Sequence, residues 1–315
     1  MLYDHIPVLL QEVISYLKPG SDENFVDATL GGGGYSLEIL KHTEANGKVL
    51  GIDLDTVALE NFKLQIQNYK INADRVVLHH GNFQHIDKIV KSHNFENISG
   101  IVADIGLSSF ELDQSGRGFS FQKSEPLDMR FNQSQPEDAA FYLHSKTEAE
   151  LRKIFEDFGE EKFAGLIAKK ITQYKLNKLS LKQTRELYEV IKDALPKPFK
   201  HKADDSARRI FQALRIAVNH ELENLQEFLP KAFNILRPGG RLVVVSFHSL
   251  EDRIVKQYFN GLSKGCVCPP EFPMCICGQN PQAKILTKKP VIPSEAELEK
   301  NSRSKPAKLR AIVKN

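Results

Sequence analysis

Short apolar runs, each closed by an acid or a small polar residue, recur along the first hundred residues. Residues 25–28 form one such run. Four glycines break it at once, and residues 35–40 then carry apolar side chains at helical spacing. Val49-Leu-Gly-Ile-Asp53 and Gly100-Ile-Val-Ala-Asp104 repeat the pattern, and Arg75-Val-Val-Leu-His79 gives another run, closed by Gly81-Asn-Phe83. Residues 55–69 have helical periodicity, with Asp55 positioned to cap the first turn. Strands separated by helical stretches predict a parallel sheet with right-handed crossovers, whose ligands sit beyond the carboxyl ends of the strands. Asp27, Asp53, Phe83 and Asp104 all fall at or just past those ends.

The rhythm changes after residue 111. Residues 112–202 carry no strand pattern, and three helices are predicted there. Thr147-Glu-Ala-Glu150 has the form of a capping box ahead of Leu151, Ile154, Phe155 and Phe158, with Gly159 as a stop. Residues 160–174 and 181–195 follow with apolar faces, the second ended by Pro196 and Pro198. One long amphipathic helix is then expected over residues 206–229. A strand over 241–246 follows Arg237-Pro-Gly-Gly240, then a helix over 250–259 and last strands over 284–287 and 307–313. The expected organisation is an α/β core made of residues 1–111 and 206–315, with an all-helical domain inserted at 112–205.

Composition narrows the class only a little. A chain of 315 residues, 41% hydrophobic and 26% charged, is ordinary for a globular protein, and a formal net charge of +3 permits nucleic acid as a partner without requiring it. No apolar run approaches the roughly 20 residues of a membrane helix. The opening residues lack the basic-then-apolar signature of a secretory leader. A cytoplasmic protein with no membrane partner is expected. All four cysteines, Cys266, Cys268, Cys275 and Cys277, fall in one loop, unlike the spread of a disulfide scaffold. Four thiolates so close admit a zinc ion, although the Cys-x-Cys spacing is tighter than usual, and a reduced or oxidised loop fits the same residues.

The glycine turn points to one kind of ligand. Gly31 and Gly33 supply the first two positions of the dinucleotide fingerprint Gly-x-Gly-x-x-Gly, but the third is Ser36. Asp27 precedes the turn, where a carboxylate would repel a pyrophosphate and attract an ammonium group. Asp53 ends the next strand, where a carboxylate can accept from both hydroxyls of a ribose. S-adenosylmethionine has an ammonium, a ribose and no phosphate, so it meets all three conditions; a nicotinamide dinucleotide meets only the ribose one. Taken singly, the same residues also read as structure, with Asp27 capping a turn, Asp53 capping the next helix and Phe83 in the core. As an ordered set at successive strand ends they favour the cofactor.

Further motifs follow in a fixed order. The chain has His5-Ile-Pro-Val-Leu-Leu-Gln-Glu-Val13, Asp27-Ala-Thr-Leu-Gly-Gly-Gly-Gly-Tyr-Ser36, Gly51-Ile-Asp53, Asp104-Ile-Gly-Leu-Ser-Ser109, Arg117-Gly-Phe-Ser-Phe121 and Leu127-Asp-Met-Arg130. Phe158-Gly-Glu-Glu161, Phe211-Gln-Ala-Leu-Arg-Ile-Ala-Val-Asn219, Arg237-Pro-Gly-Gly240, Ser246-Phe-His-Ser-Leu-Glu-Asp-Arg253 and Ala307-Lys-Leu-Arg310 come after them. In that order, over nearly the whole chain, they resemble the RsmH (MraW) family of bacterial 16S rRNA (cytosine-N4)-methyltransferases. The resemblance implies a class I S-adenosylmethionine-dependent methyltransferase core, Rossmann-like, with an inserted all-helical domain. It implies methylation of the N4 amine of a cytosine in the P-site region of 16S rRNA, within the small ribosomal subunit, and leaves room for a homodimer.

By position, the resemblance implies cofactor contacts at Gly33, Gly34, Tyr35, Asp53, Phe83, Asp104 and Glu111. Tyr35 stands where the family usually has histidine. Glu111 stands where it often has glutamine, and an ionised carboxylate there accepts hydrogen bonds but donates none. Near the C-terminus, Asn301-Ser-Arg-Ser-Lys305 replaces Asn-Pro-Arg-Ser-Arg. Asp104 and the backbone of residues 105–108 are expected to orient the target amine, and Phe110, Phe119 and Phe121 are candidates for stacking on the base. Arg117, Arg130, Arg208, Arg209, Arg215 and the basic tail 300–314 are expected to offer cations to RNA phosphates.

Overall fold

The computed structural model describes residues 7–107, 115–177, 180–265 and 279–315. The chain divides into two compact units, Met1–Gly106 with Leu222–Asn315, and Leu107–Glu221.

The first unit is built on one sheet. Its strands are β1 (Asn24–Asp27), β2 (Val49–Asp53), β3 (Val76–His80), β4 (Ile98–Asp104), β5 (Leu236–Ser246), β6 (Ala283–Ile285) and β7 (Lys308–Lys314), in the order β3-β2-β1-β4-β5-β7-β6. The first five strands pair in parallel, and β7 runs antiparallel between β5 and β6. The order reverses between β1 and β4, which opens a crevice at the carboxyl ends of those two strands.

Alternate side chains of each strand bury on opposite faces. Phe25, Val49, Val102, Val243 and Val245 pack with side chains of α1 (Leu10–Leu17), α2 (Gly34–His42) and α3 (Thr56–Asn68), among them Leu17, Ile39 and Phe62. Val26, Leu50, Ile101, Ala103 and Val244 pack on the other face with Ile86 and Ile89 of α4 (Ile86–Ser92) and Phe228 of the helix Glu221–Ile235. Covering both faces is what makes parallel strands read as unbroken apolar runs, and that is why the sequence locates them well. The structure adds the short helices α1, α4 and Glu295–Lys300, and in α1 Leu10, Val13, Ile14 and Leu17 do fall at helical spacing.

The second unit is helical, with α5 (Ala139–Ser145), α6 (Glu148–Asp157), α7 (Ala164–Leu176), α8 (Thr184–Ala194) and α9 (Ala203–Asn219) around one core that includes Leu143, Leu151, Phe155, Ile167, Leu187, Ile191 and Leu214. The capping box at Thr147 and Glu150 is present in both directions. The single helix expected over 206–229 is two helices. His220 takes φ 51° and ends α9, and the chain restarts as α10 (Glu221–Ile235). The apolar register runs on through the break, from Val218 to Leu222 and Leu225, so periodicity alone hides it. Asn219 pins the loop before α5 to the end of α9. Its amide donates to Met129 O at 2.7 Å and Arg215 O at 2.9 Å, and its oxygen accepts from Phe131 N at 2.8 Å. Among the described residues no helix is long and apolar enough to cross a membrane.

Candidate active site

The turn after β1 is shaped by glycine for two reasons. Gly31 and Gly33 adopt φ of 48° and 74°, the left-handed region that side chains disfavour. A Cβ on Gly33 would also lie 2.0 Å from the Phe62 ring, and one on Gly34 2.0 Å from Pro7 Cγ. The turn therefore runs tight against the core and delivers Gly34 and Tyr35 as the first residues of α2. Among the described residues no side chain caps that helix, which leaves N–H groups of its first turn for a ligand or solvent, at the end that carries partial positive charge.

Three carboxyls surround this turn, each at a strand end. Asp27 closes β1 and is fully buried, accepting from Ser36 Oγ at 2.7 Å and Thr29 N at 3.3 Å. Ser36, which occupies the position of the third fingerprint glycine, thus ties helix α2 to β1. Asp53 closes β2 and is half-buried, with one oxygen accepting from Gly31 N at 2.7 Å and the other from Asp55 N at 2.8 Å. Each of its oxygens retains a lone pair for a hydroxyl. Asp55, not Asp53, caps α3. Asp104 closes β4, and its backbone N donates to Thr29 Oγ1 at 2.6 Å, joining the turn to the far side of the crevice.

Burial raises all three acids. It pushes the Asp27 carboxyl up to about 7, and repulsion from Asp53 and Asp104 adds to the effect against the bonds from Ser36 and Thr29. Asp53 rises to about 6, again chiefly through burial. Asp104 rises to about 6 through burial, helped by repulsion from Glu251. A crowd of acids, one buried and two half-buried, at the mouth of a crevice disfavours a pyrophosphate and fits a ligand carrying positive charge.

The remaining expected residues fall as follows. Phe83 lies in a turn after β3, half-buried, with its ring edge-to-face against Phe228 at 5.0 Å. Tyr35 is 4% exposed; its hydroxyl donates to Val8 O at 2.5 Å and lies 3.2 Å from Asp104 Oδ2. What Tyr35 can offer a ligand is its backbone N–H rather than its ring. Glu111, Phe110, Ser108 and the four cysteines Cys266, Cys268, Cys275 and Cys277 lie outside the described residues.

Two aromatic candidates for base stacking are packed into the helical core. Phe119 stacks on Phe131 at 5.5 Å, and Phe121 stacks on Tyr188 at 5.6 Å with Phe211 against its edge. Most of the arginines expected to meet RNA are engaged within the protein. Arg117 donates to Arg130 O and Phe131 O, Arg130 forms a fork on Asp128, and Arg215 forms another on Glu221. Arg208 and Arg209 remain about half exposed or more, beside Asp205 and Glu161.

Sequence reasoning gave no role to Thr29 or to the pair His248 and Glu251. The Glu251 carboxylate accepts from Phe247 N at 2.8 Å and His248 N at 3.1 Å, and it lies 3.0 Å from His248 Nε2. The spacing of these two residues is that of a capping box at the head of α11 (Ser249–Ser263), which is the signal that could have found them. The Glu251 charge also adds a little to the rise of the Asp104 carboxyl, which burial chiefly causes.

A doubly wound sheet in this order, with a glycine turn ringed by acids at its switch point, is the core of a class I methyltransferase that uses S-adenosylmethionine. The model of the MraW methylase family matches residues 2–315, and the chain belongs to that family. It is 46% identical to the "Ribosomal RNA small subunit methyltransferase H" of Clostridium botulinum (strain Loch Maree / Type A3) over 314 residues, covering 100% of both chains. Proteins of the same name from Heliobacterium modesticaldum and Carboxydothermus hydrogenoformans are each 44% identical, covering 100% of this chain and 99% of their own.

Proposed function

We propose that this chain methylates the N4 amine of a cytosine in the P-site region of 16S rRNA, in the small ribosomal subunit. The name that its relatives carry supports the small-subunit rRNA as substrate, and the order of motifs supports the cytosine amine. The observation that carries the cofactor half of this reading is the set of three strand-end acids, buried Asp27 and half-buried Asp53 and Asp104, all with raised carboxyls, around a helix start without a side-chain cap among the described residues. The reaction puts the enzyme in the cytoplasm with the ribosome.

S-adenosylmethionine supplies a methyl group on a positively charged sulfur. In this reading Asp53 accepts from the ribose hydroxyls, the N–H groups of Gly34 and Tyr35 hold the ligand beside Gly33, whose own N–H donates to Leu30 O at 2.7 Å, and Phe83 packs on the adenine. Asp27 acts from beneath, fixing the turn through Ser36 and Thr29 and adding negative potential. Glu111 is a further contact in the reading.

The cytosine amine is a weak nucleophile because its lone pair is delocalised into the ring. Asp104, held by Thr29 and Gly106 and ionised at neutral pH, accepts an N–H bond from that amine and orients its nitrogen toward the methyl carbon. As the N–C bond forms the C–S bond breaks, and the surplus amine proton leaves to Asp104 or to solvent. No covalent bond between enzyme and base is needed.

The test is methyl transfer to small subunits from a strain lacking the modification, with mapping of the product. One N4-methylated cytosine is expected; a methyl group on another atom or base overturns the assignment. Asp104→Asn, which keeps the shape but loses the charge, is expected to lower kcat by roughly 100-fold or more. Unchanged turnover and unchanged cofactor affinity in that variant would remove Asp104 from the mechanism.

A further inference from the structure

We infer that the turn Lys197–Lys202 of the helical unit is a docking surface for unpaired RNA, with Phe199 as the platform for a base and the lysines around it as contacts for the flanking phosphates. The inference rests on the reading of RNA as substrate and extends it to a second surface, distinct from the acidic crevice.

The sequence Lys197-Pro-Phe-Lys-His-Lys202 holds three lysines, a histidine and no acid, and all six residues are exposed. Phe199 leaves 38% of its surface in solvent; Phe141 of the same unit leaves 46%, and what sets Phe199 apart is the run of cations around it. Its ring centre is 5.1 Å from that of Phe163, tilted by 51°, and Lys202 Nζ stands 5.9 Å from the Phe199 ring centre. An exposed ring backed by a second aromatic and flanked by cations is the arrangement that binds single-stranded nucleic acid, since every base has a π-face and every linkage a phosphate.

The turn is also held in shape. Pro196 and Pro198 fix its backbone, Phe199 N donates to Pro196 O at 2.8 Å, and Ala203 N donates to Lys200 O as the chain enters α9. Little order has to be gained on binding. The acids facing the turn already have partners. Asp193 lies 3.8 Å from Lys200, Asp204 accepts from the Tyr188 hydroxyl, and Asp205 pairs with Arg208. Among the described residues Lys197 and Lys202 have no ion pair. These lysines are therefore open to a phosphate in a way that Arg117, Arg130 and Arg215 are not.

The experiment uses the full-length protein and a fluorescein-labelled oligouridylate too short to fold, followed by anisotropy across a salt series. Wild-type binding is expected to weaken with salt. Lys197→Ala with Lys202→Ala should reduce the slope of log affinity against log salt by roughly 0.7 per lysine. Phe199→Leu keeps the bulk but not the flat face and should weaken binding roughly 5- to 150-fold with little change in slope, while Phe199→Tyr should restore it. Lys63→Ala with Lys91→Ala, elsewhere on the surface, serves as the charge control, and thermal melts confirm that each variant is folded. Equal affinity and slope in wild type, Phe199→Leu and the lysine variant would overturn the inference. So would a folded wild-type protein that ignores the oligouridylate yet methylates subunits. If the oligouridylate binds through this turn but no subunit is methylated, the inference holds and the proposed reaction fails.

Discussion

Asp27 is completely buried, yet it sits beside two other acids, and the cost of that crowding sets a pH dependence. Without ligand, the carboxyls of Asp27, Asp53 and Asp104 lie near 7, 6 and 6, each raised first by burial. Raised carboxyls favour the folded state at acid pH, and their contribution is lost as pH climbs through those values. A ligand with positive charge reverses the preference by stabilising the ionised forms. S-adenosylmethionine affinity is therefore expected to rise between about pH 5.5 and 7.5 and then level off, with protons released on binding below pH 7. Titration calorimetry in two buffers of different ionisation enthalpy measures both quantities. A flat affinity with no proton release would mean that the acids do not face the ligand. The sequence made these residues legible as a set, because each ends an apolar run. It could not tell that Asp27 is closed off by Ser36 and Thr29, or that the Tyr35 ring is buried, because those facts depend on which way a side chain turns.

At the scale of elements, strands were readable and the roles of charged motifs were not. Residues 307–313 are expected both as a last strand and as part of a basic tail, and the structure forms the strand, β7 (Lys308–Lys314), inside the sheet. Arg310 is 7% exposed and forms a fork on Asp252 of α11, at 2.6 and 3.1 Å. Lys314 Nζ donates to the carbonyls of Phe233, Asn234 and Leu236, where α10 runs into β5. Charge that a linear reading assigns to RNA is used here to fasten the last strand. Arg310→Ala leaves Asp252 short of its fork and is expected to cost about 3 kcal/mol of stability in denaturant unfolding. Arg310→Met combined with Asp252→Leu, which removes both charges, should recover most of that loss. A single variant as stable as the wild type would show that Lys308, 3.8 Å from Asp252, suffices alone.

Over the whole molecule, two hydrophobic clusters flank the sheet and a third belongs to the helices, so each unit carries its own core. Every described residue proposed to hold the cofactor lies in the unit formed by Met1–Gly106 and Leu222–Asn315. That separation has a measurable consequence. Leu187 is fully buried among the helices, and Leu187→Ala opens a cavity there that is expected to cost about 2–5 kcal/mol. Because the acids, the glycine turn and Phe83 draw their support from the sheet, the variant should bind S-adenosylmethionine with unchanged affinity at a temperature where it stays folded. Calorimetric titration of the variant against wild type decides the matter. Unchanged affinity assigns the cofactor to the sheet unit. A loss of tenfold or more would assign part of the binding to the helical unit, where Glu111 falls by sequence, and would make that residue the next to substitute.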